Sequence, residues 1–235
     1  MSNWAPKRFW KQAETVECDG GFTVRLDARA VKTPAKAPLV VPTRGLAQAI
    51  ADEWQAQAEK IRPDTMPFTR SATSAIDKVS AQFDEVADLI AAYGGSDLLC
   101  YRAPAPAALT QRQVAAWNPV LDWAAMALEA RLVTAVGVMP VQQPEPALLA
   151  LSARVRALTP FELAGVHDLV AISGSLVLGL AVFNGRLTPL EAWEISRIDE
   201  TWQNEQWGED EEAAEFEAVR RSGLLHAARF CQLCR

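Results

Sequence analysis

Hydrophobic and polar positions change rhythm once along this chain. In 22–27 Phe22, Val24 and Leu26 alternate with Thr23, Arg25 and Asp27. That period of two puts the apolar set on one face of a strand. Thr15–Cys18 forms a run before it, and Asp19-Gly20 between the two runs predicts a hairpin, because glycine reaches positive φ without steric cost. Two further short strands are expected at 30–34 and 38–42, bounded by prolines that lack a ladder N–H. From Thr43 the period becomes helical. Thr43 is the expected N-cap of a helix to about Lys60, with Leu46, Ile50 and Trp54 on one face.

The loop at 61–68 holds Pro63 and Pro67, and the domain boundary is placed beside it. Beyond it Ile76, Val79, Phe83, Val86, Ile90 and Tyr93 step by three or four up to Gly94-Gly95. A helix over 110–117 is expected to stop at Asn118-Pro119, and a new one to carry Leu121, Met126 and Leu128. Residues 139–146 read as a proline-rich loop and 147–158 as a helix. Thr159-Pro160-Phe161-Glu162 and Thr188-Pro189-Leu190-Glu191 are capping boxes, each with proline at the first helical position. They predict one apolar helix over 160–183, ended by Asn184-Gly185, and a long amphipathic helix from Pro189. A helix apolar on nearly every face belongs at the centre of a bundle. The pattern is therefore α+β: a small β-rich N-terminal domain with one helix over 1–70, then a larger all-helical domain over 71–235.

Composition narrows the function classes. The chain has 235 residues, 50% of them hydrophobic, which suffices for a substantial core and argues against disorder. Net charge is −6, and no basic face is concentrated enough to displace phosphate counterions, so a nucleic-acid partner is not expected. The apolar run 169–183 is shorter than the ~20 residues a bilayer span needs. The first ten residues resemble neither a secretory signal nor a transit peptide. A soluble, cytoplasmic protein is expected, with no membrane insertion.

Catalytic signals are sparse. His167 and His226 lie in no motif that orients a base, and no phosphate-binding glycine loop follows a strand. His167 beside Asp168 reads as a buried, hydrogen-bonded imidazole. Cys231-x-x-Cys234 has metal-like spacing but lacks a second knuckle, so it reads as two small hydrophobes; no metal and no cofactor is expected. The densest charge run is Glu205, Glu209, Asp210, Glu211, Glu212, Glu215 and Glu217, interleaved with Trp202 and Trp207. An acid run is ordinarily a solvated helix face. Tryptophan ringed by carboxylates is also an interface composition, an apolar anchor with a charged rim. The indoles face either the core or a partner. Gly208 in this helix suggests a bend or a close backbone approach.

Several stretches together carry a resemblance. They include Arg8-Phe9-Trp10-Lys11, the run 26–36, Ile50-Ala51-Asp52-Glu53-Trp54, Met66-Pro67-Phe68-Thr69-Arg70 and Ala75-Ile76-Asp77. Ser96 to Arg102, Trp117-Asn118-Pro119 and the run from Ser196 to Gly208 complete them. In this order they resemble the assembly chaperones that bind the α subunit of the F-type ATP synthase, found in mitochondria and related bacteria. The resemblance implies a non-enzymatic chaperone, monomeric when free, that shields the unassembled α subunit until β subunits replace it. It implies a β-rich N-terminal and a helical C-terminal domain, and a mitochondrial matrix location for related members. Its partner-binding region falls here on Glu200, Gln203, Trp207, Gly208 and Glu211. Trp202 stands where the family commonly has Tyr, and Asn204 where it has an apolar residue. Two other readings are a small-molecule site at the domain junction, near Arg70, Asp97, Tyr101 and Arg102, and a holdase with no preferred client.

Overall fold

The computed structural model describes residues 7–208 and 210–235. Residues 1–6 of the polar N-terminus and Glu209 of the acid run lie outside the described residues. The fold is α+β, a small N-terminal sheet followed by helices.

The chain divides into two compact units: residues 1–83 with 159–165 and 229–235, and residues 84–158 with 166–228. The expected break between residues 70 and 71 falls inside helix α2, Pro67–Ser74.

In the first unit β1 (Ala13–Cys18) pairs antiparallel with β2 (Gly21–Leu26) around the Asp19-Gly20 turn, so that Val24 faces Thr15. Gly20 sits at φ +85, the geometry that made the turn legible. Only Arg29–Ala30 (β3) and Val40–Val41 (β4) of the next two expected strands pair with β2. Val24, Leu26 and Val41 meet Leu46 and Ile50 of α1, Arg44–Gln55, in a dry core. Thr43 caps α1 as expected, but the helix ends at Gln55, short of Lys60.

Residues quoted for the family resemblance do structural work in this unit. The Arg8 guanidinium donates to the carbonyls of Trp10, Lys11, Gln55 and Gln57. Glu53 reaches the N-terminus of α2, accepting from Phe68 N (2.6 Å) and Thr69 N (2.8 Å).

In the second unit α3 (Phe83–Ala91) leads through a tight turn at 92–95 to the short parallel pair β5 (Tyr101–Arg102) and β6 (Ala135–Val136). Between them lies α4, Ala107–Ala127, which runs straight through Asn118-Pro119 where two helices were expected. Pro119 has no N–H for the Ala115 carbonyl, but both residues are exposed, so water can serve that carbonyl. The buried Trp117, Val120, Leu121 and Ala124 hold the helix continuous.

The expected single helix over 160–183 is two: α6, Pro160–Ser173, and α7, Leu176–Phe183. Gly174 at φ +74 turns the chain, and Ser175 caps α7 by accepting from Leu178 N at 3.0 Å. Asp97, 78 residues earlier than Ser175 in sequence, accepts from the Ser175 hydroxyl (2.7 Å) and from Val177 N (3.0 Å). Leu176, Val177, Leu178 and Leu180 are all buried, so the central position expected for the whole span belongs to α7. Both capping boxes form. The long helix expected from Pro189 is also divided, into α8 (Pro189–Ser196), α9 (Ile198–Trp207) and α10 (Glu211–Leu233), preceded in the chain by α5 at Glu145–Arg156.

Candidate functional site

Helix α9 is held against α4 along one side. Arg112 forms a two-pronged pair with Glu205 at 2.8 and 2.9 Å, and its guanidinium lies 5.1 Å from the Trp202 ring centre. Gln113 donates to Asp199 at 2.6 Å, and the Trp117 indole ties α4 to the end of α8 by donating to the Ile195 carbonyl at 2.9 Å. The Arg112 guanidinium holds the Glu205 carboxyl below its usual range, chiefly through the hydrogen bond between them.

The start of α9 rests on a buried cation. Arg197 stacks 5.3 Å from the Trp193 ring centre and donates to Ser196 Oγ. Its Nη1 donates to Glu200 Oε1 at 2.7 Å. Burial lowers the Arg197 pKa, and the Glu200 carboxylate opposes that shift. Glu200 is thus anchored at its own helix terminus while half exposed.

Glu200, Gln203 and Trp207 follow at i, i+3 and i+7, so they share a side of α9. Asp199, Trp202 and Glu205, which touch α4, lie on another. Trp207 is 79% exposed, which places its indole outside the core; Trp202 is half-buried. Gly208 then ends α9 at φ 88 and ψ 165, a conformation essentially confined to glycine. A Cβ there would meet nothing within 4 Å, so the residue serves the bend rather than a close approach.

Asp210 caps α10 by accepting from Ala213 N at 2.9 Å, and Glu211 and Glu212 occupy its first turn, where the helix dipole favours acids. Between α9 and α10 lies an open groove of about 490 Å³, lined among others by Trp193, Thr201, Asn204, Ala214, Ala218 and Arg221. The sequence reading missed Phe216 (65% exposed) and Val219 (69%). Val219 was detectable, since five residues separate it from Leu224 and put it out of phase with the buried stripe of Leu224, Ala227, Ala228 and Cys231. Phe216 was not: at eight residues from Leu224 it still falls within the width of an apolar stripe, on a part of α10 whose burial has not yet begun.

Asp97 and Arg102, two of the four residues of the small-molecule reading, are engaged in structure. Asp97 is fully buried, and its oxygens accept from Leu99 N, the Ser175 hydroxyl and Val177 N. Arg102 does not pair with it. The guanidinium donates to the Leu99 carbonyl and to Asn118 Oδ1 (2.8 Å) and stacks on Trp117 at 4.9 Å. Arg70 is exposed and Tyr101 half-buried. His167 Nδ1 lies 2.9 Å from Asp168 Oδ1, a bond that raises the imidazole pKa. Cys231 and Cys234 are buried, and burial pushes the Cys234 thiol up to about 12. Among the described residues no group of His, Cys, Asp and Glu could hold a metal ion. Among them, too, no helix is long and apolar enough to cross a membrane.

The chain is similar to known proteins over almost its whole length. The family model of the ATP12 chaperone protein matches residues 7–125. The crystal structure of Atp12 from Paracoccus denitrificans and that of a mutant of the same Atp12p each share 50% identity with this chain. Each comparison covers 97% of this chain and 98% of the other, with a TM-score of 0.95. A protein from Agrobacterium tumefaciens is 43% identical over 98% of this chain and 87% of its own, with a TM-score of 0.94. The mitochondrial protein atp12 of Schizosaccharomyces pombe is 23% identical over 97% of this chain and 82% of its own length. The chain belongs to the ATP12 chaperone family, the ATP synthase assembly chaperones that its sequence resembles.

Proposed function

We propose that this chaperone binds the unassembled α subunit of the F-type ATP synthase. It shields the subunit interface of α until β subunits take its place. Glu200, Gln203, Trp207, Gly208 and Glu211 form part of the binding surface. The observation that carries the reading is Trp207, 79% exposed at the end of a helix whose opposite side is clamped to α4. A large indole held in water on a fixed support suits an interface anchor.

The physical task fits such a surface. An α subunit without its neighbours exposes an apolar interface that aggregates. A binder that covers it and then yields to β by mass action makes and breaks no covalent bond and needs no cofactor. In a bacterium the work is done in the cytoplasm, by a chain that is monomeric when free.

The test offers the purified chain to isolated α subunit. The expected result is a complex and suppressed α aggregation. No complex and unchanged aggregation would refute the proposal, and equal protection of unrelated aggregating proteins would replace it with a general holdase. Glu200→Lys sets a second cation beside buried Arg197, so its melting must be checked first. Gln203→Ala, exposed and outside the ion pairs, probes the same side without that complication.

A further inference from the structure

The carboxylates around the exposed apolar residues are unequally committed. On α9, Glu200 pairs with Arg197 at 2.7 Å and Glu205 with Arg112 at 2.8 Å. On α10, Glu211, Glu212 and Glu215 are exposed, and among the described residues none of them forms an ion pair. Phe216 and Val219, one turn apart on α10, are both exposed, each four residues after one of these acids: Glu212 before Phe216, Glu215 before Val219. Positions four apart are neighbours on a helix surface. The Arg220 guanidinium, 6.0 Å from the Phe216 ring centre, is held by the Ile172 carbonyl, so the α10 face presents apolar side chains bordered by carboxylates free of ion pairs.

We infer that the start of α10 is a docking face for a basic segment of the client. That segment sets an apolar side chain against Phe216 and Val219 and flanks it with Lys or Arg that pairs with Glu212 and Glu215. The occupant follows from charge complementarity. Acids at an apolar patch attract a cationic partner and repel an acidic one. A second copy of this chain would bring the same acids face to face, and the net charge of −6 adds to that repulsion. Glu205, paired with Arg112, is thereby a positioning residue that holds α9 in place, and the carboxylates free of ion pairs that the client reads lie on α10. The inference rests on the proposed function for the identity of its client, but not for the chemistry of the face.

The experiment uses the full chain and two probes: isolated α subunit, and a synthetic peptide of alternating Lys and Leu with a Glu-Leu peptide as control. Affinities are measured between about 50 and about 300 mM salt. The expected result is binding to α that weakens with salt. Glu212→Lys combined with Glu215→Lys should weaken it about tenfold at low salt and flatten the salt dependence, with only a small fall in melting temperature from the helix-dipole interaction lost at Glu212. The doubly Gln-substituted chain should fall between. Binding to α that ignores both charge reversals would overturn the inference and leave the proposed function standing. No binding to α, with Lys-Leu binding that needs Glu212 and Glu215, would do the reverse. Binding to neither probe, or equal binding to Lys-Leu and Glu-Leu, would overturn the inference, and self-association abolished by the reversals would replace the client with a second copy.

Discussion

Arg112 on α4 and Glu205 on α9 are 93 residues apart in sequence and meet through both prongs of the guanidinium, at 2.8 and 2.9 Å. The pair is solvent-accessible, so it contributes little to global stability. Its consequence is local, because it fastens the helix that carries Trp207. Arg112→Ala should leave the unfolding midpoint unchanged and speed amide exchange across 198–207 several-fold. The Glu205 carboxyl is held below its ordinary value of 4.5 by this partner. A depressed carboxylate supports the fold above its unfolded value and stops doing so as pH falls through the native one. The difference in protection between the parent chain and Glu205→Gln should therefore shrink as pH drops below 4.5. Equal protection at neutral pH would show that the pair does not fasten α9.

A second prediction concerns Asp97, whose carboxylate fixes the break between α6 and α7. Every partner it has is a donor: Leu99 N, the Ser175 hydroxyl and Val177 N. Asp97→Ala strands them in a dry site and should cost about 3 kcal/mol. Asp97→Asn should recover little, because its amide NH2 would face one of those donors. Urea midpoints with an unchanged slope would report this. A loss under ~1 kcal/mol for both variants would mean that Gly174 and Ser175 set the break unaided.

This break marks where the sequence stops being legible. The hairpin could be read because Asp19-Gly20 and the alternation at Phe22, Val24 and Leu26 are local signals. The capping boxes could be read because Thr and Glu satisfy each other within one turn. Residues 160–183 hide their interruption because their period stays apolar throughout, and the group that stabilises it, Asp97, comes from elsewhere in the chain. The opposite mistake at Pro119 has the same origin: tertiary burial of Trp117 and Val120 overrides a local breaker. For the candidate site, Gly208 announced a bend. The exposure of Trp207 could not be deduced, since helical period tells which residues share a side but not whether anything covers that side.

His167 yields a titration. Its Nδ1 bond to Asp168 raises the imidazole pKa, against the lowering effect of burial. A histidine with a raised native pKa lends stability that is complete below its unfolded value, 6.5, and is lost as pH rises through the native one. NMR should place the His167 midpoint above 6.5, and Asp168→Asn should lower it. A midpoint at or below 6.5, insensitive to that substitution, would mean that the bond is not made in solution.

Tryptophans 117 and 207 should respond oppositely to truncation. Trp117 is 1% exposed and donates to the Ile195 carbonyl, so Trp117→Ala should cost about 3–5 kcal/mol in cavity and lost contact. Trp207→Ala, at 79% exposure, should change stability by less than about 0.5 kcal/mol. It should also weaken the complex with isolated α subunit. If Trp207→Ala unfolds the chain, the indole is a core residue; if it leaves both stability and binding alone, the anchor lies elsewhere.

Gly208 offers the most direct separation of shape from composition. Its φ of 88 with ψ of 165 costs any L side chain about 1–3 kcal/mol, yet nothing stands within 4 Å of a Cβ built there. Gly208→Ala therefore removes no contact and adds no clash; it strains one bend. The strain can be relieved by letting the end of α9 unwind, because Gly208 N donates to the Asn204 carbonyl at 2.9 Å and little else pins that turn. Relief by unwinding would spare the global melting temperature while displacing Trp207 from Gln203 and Glu200, with which it shares a side. Gly208→Ala should thus melt with the parent chain, show faster exchange only around 204–208, and bind α subunit more weakly. Gly208→Asn should lose as much, because Asn tolerates the left-handed helical region but not φ 88 with ψ 165. Equal binding by both variants and the parent would mean that the bend merely connects two helices and that the side formed by Glu200, Gln203 and Trp207 does not act as a unit.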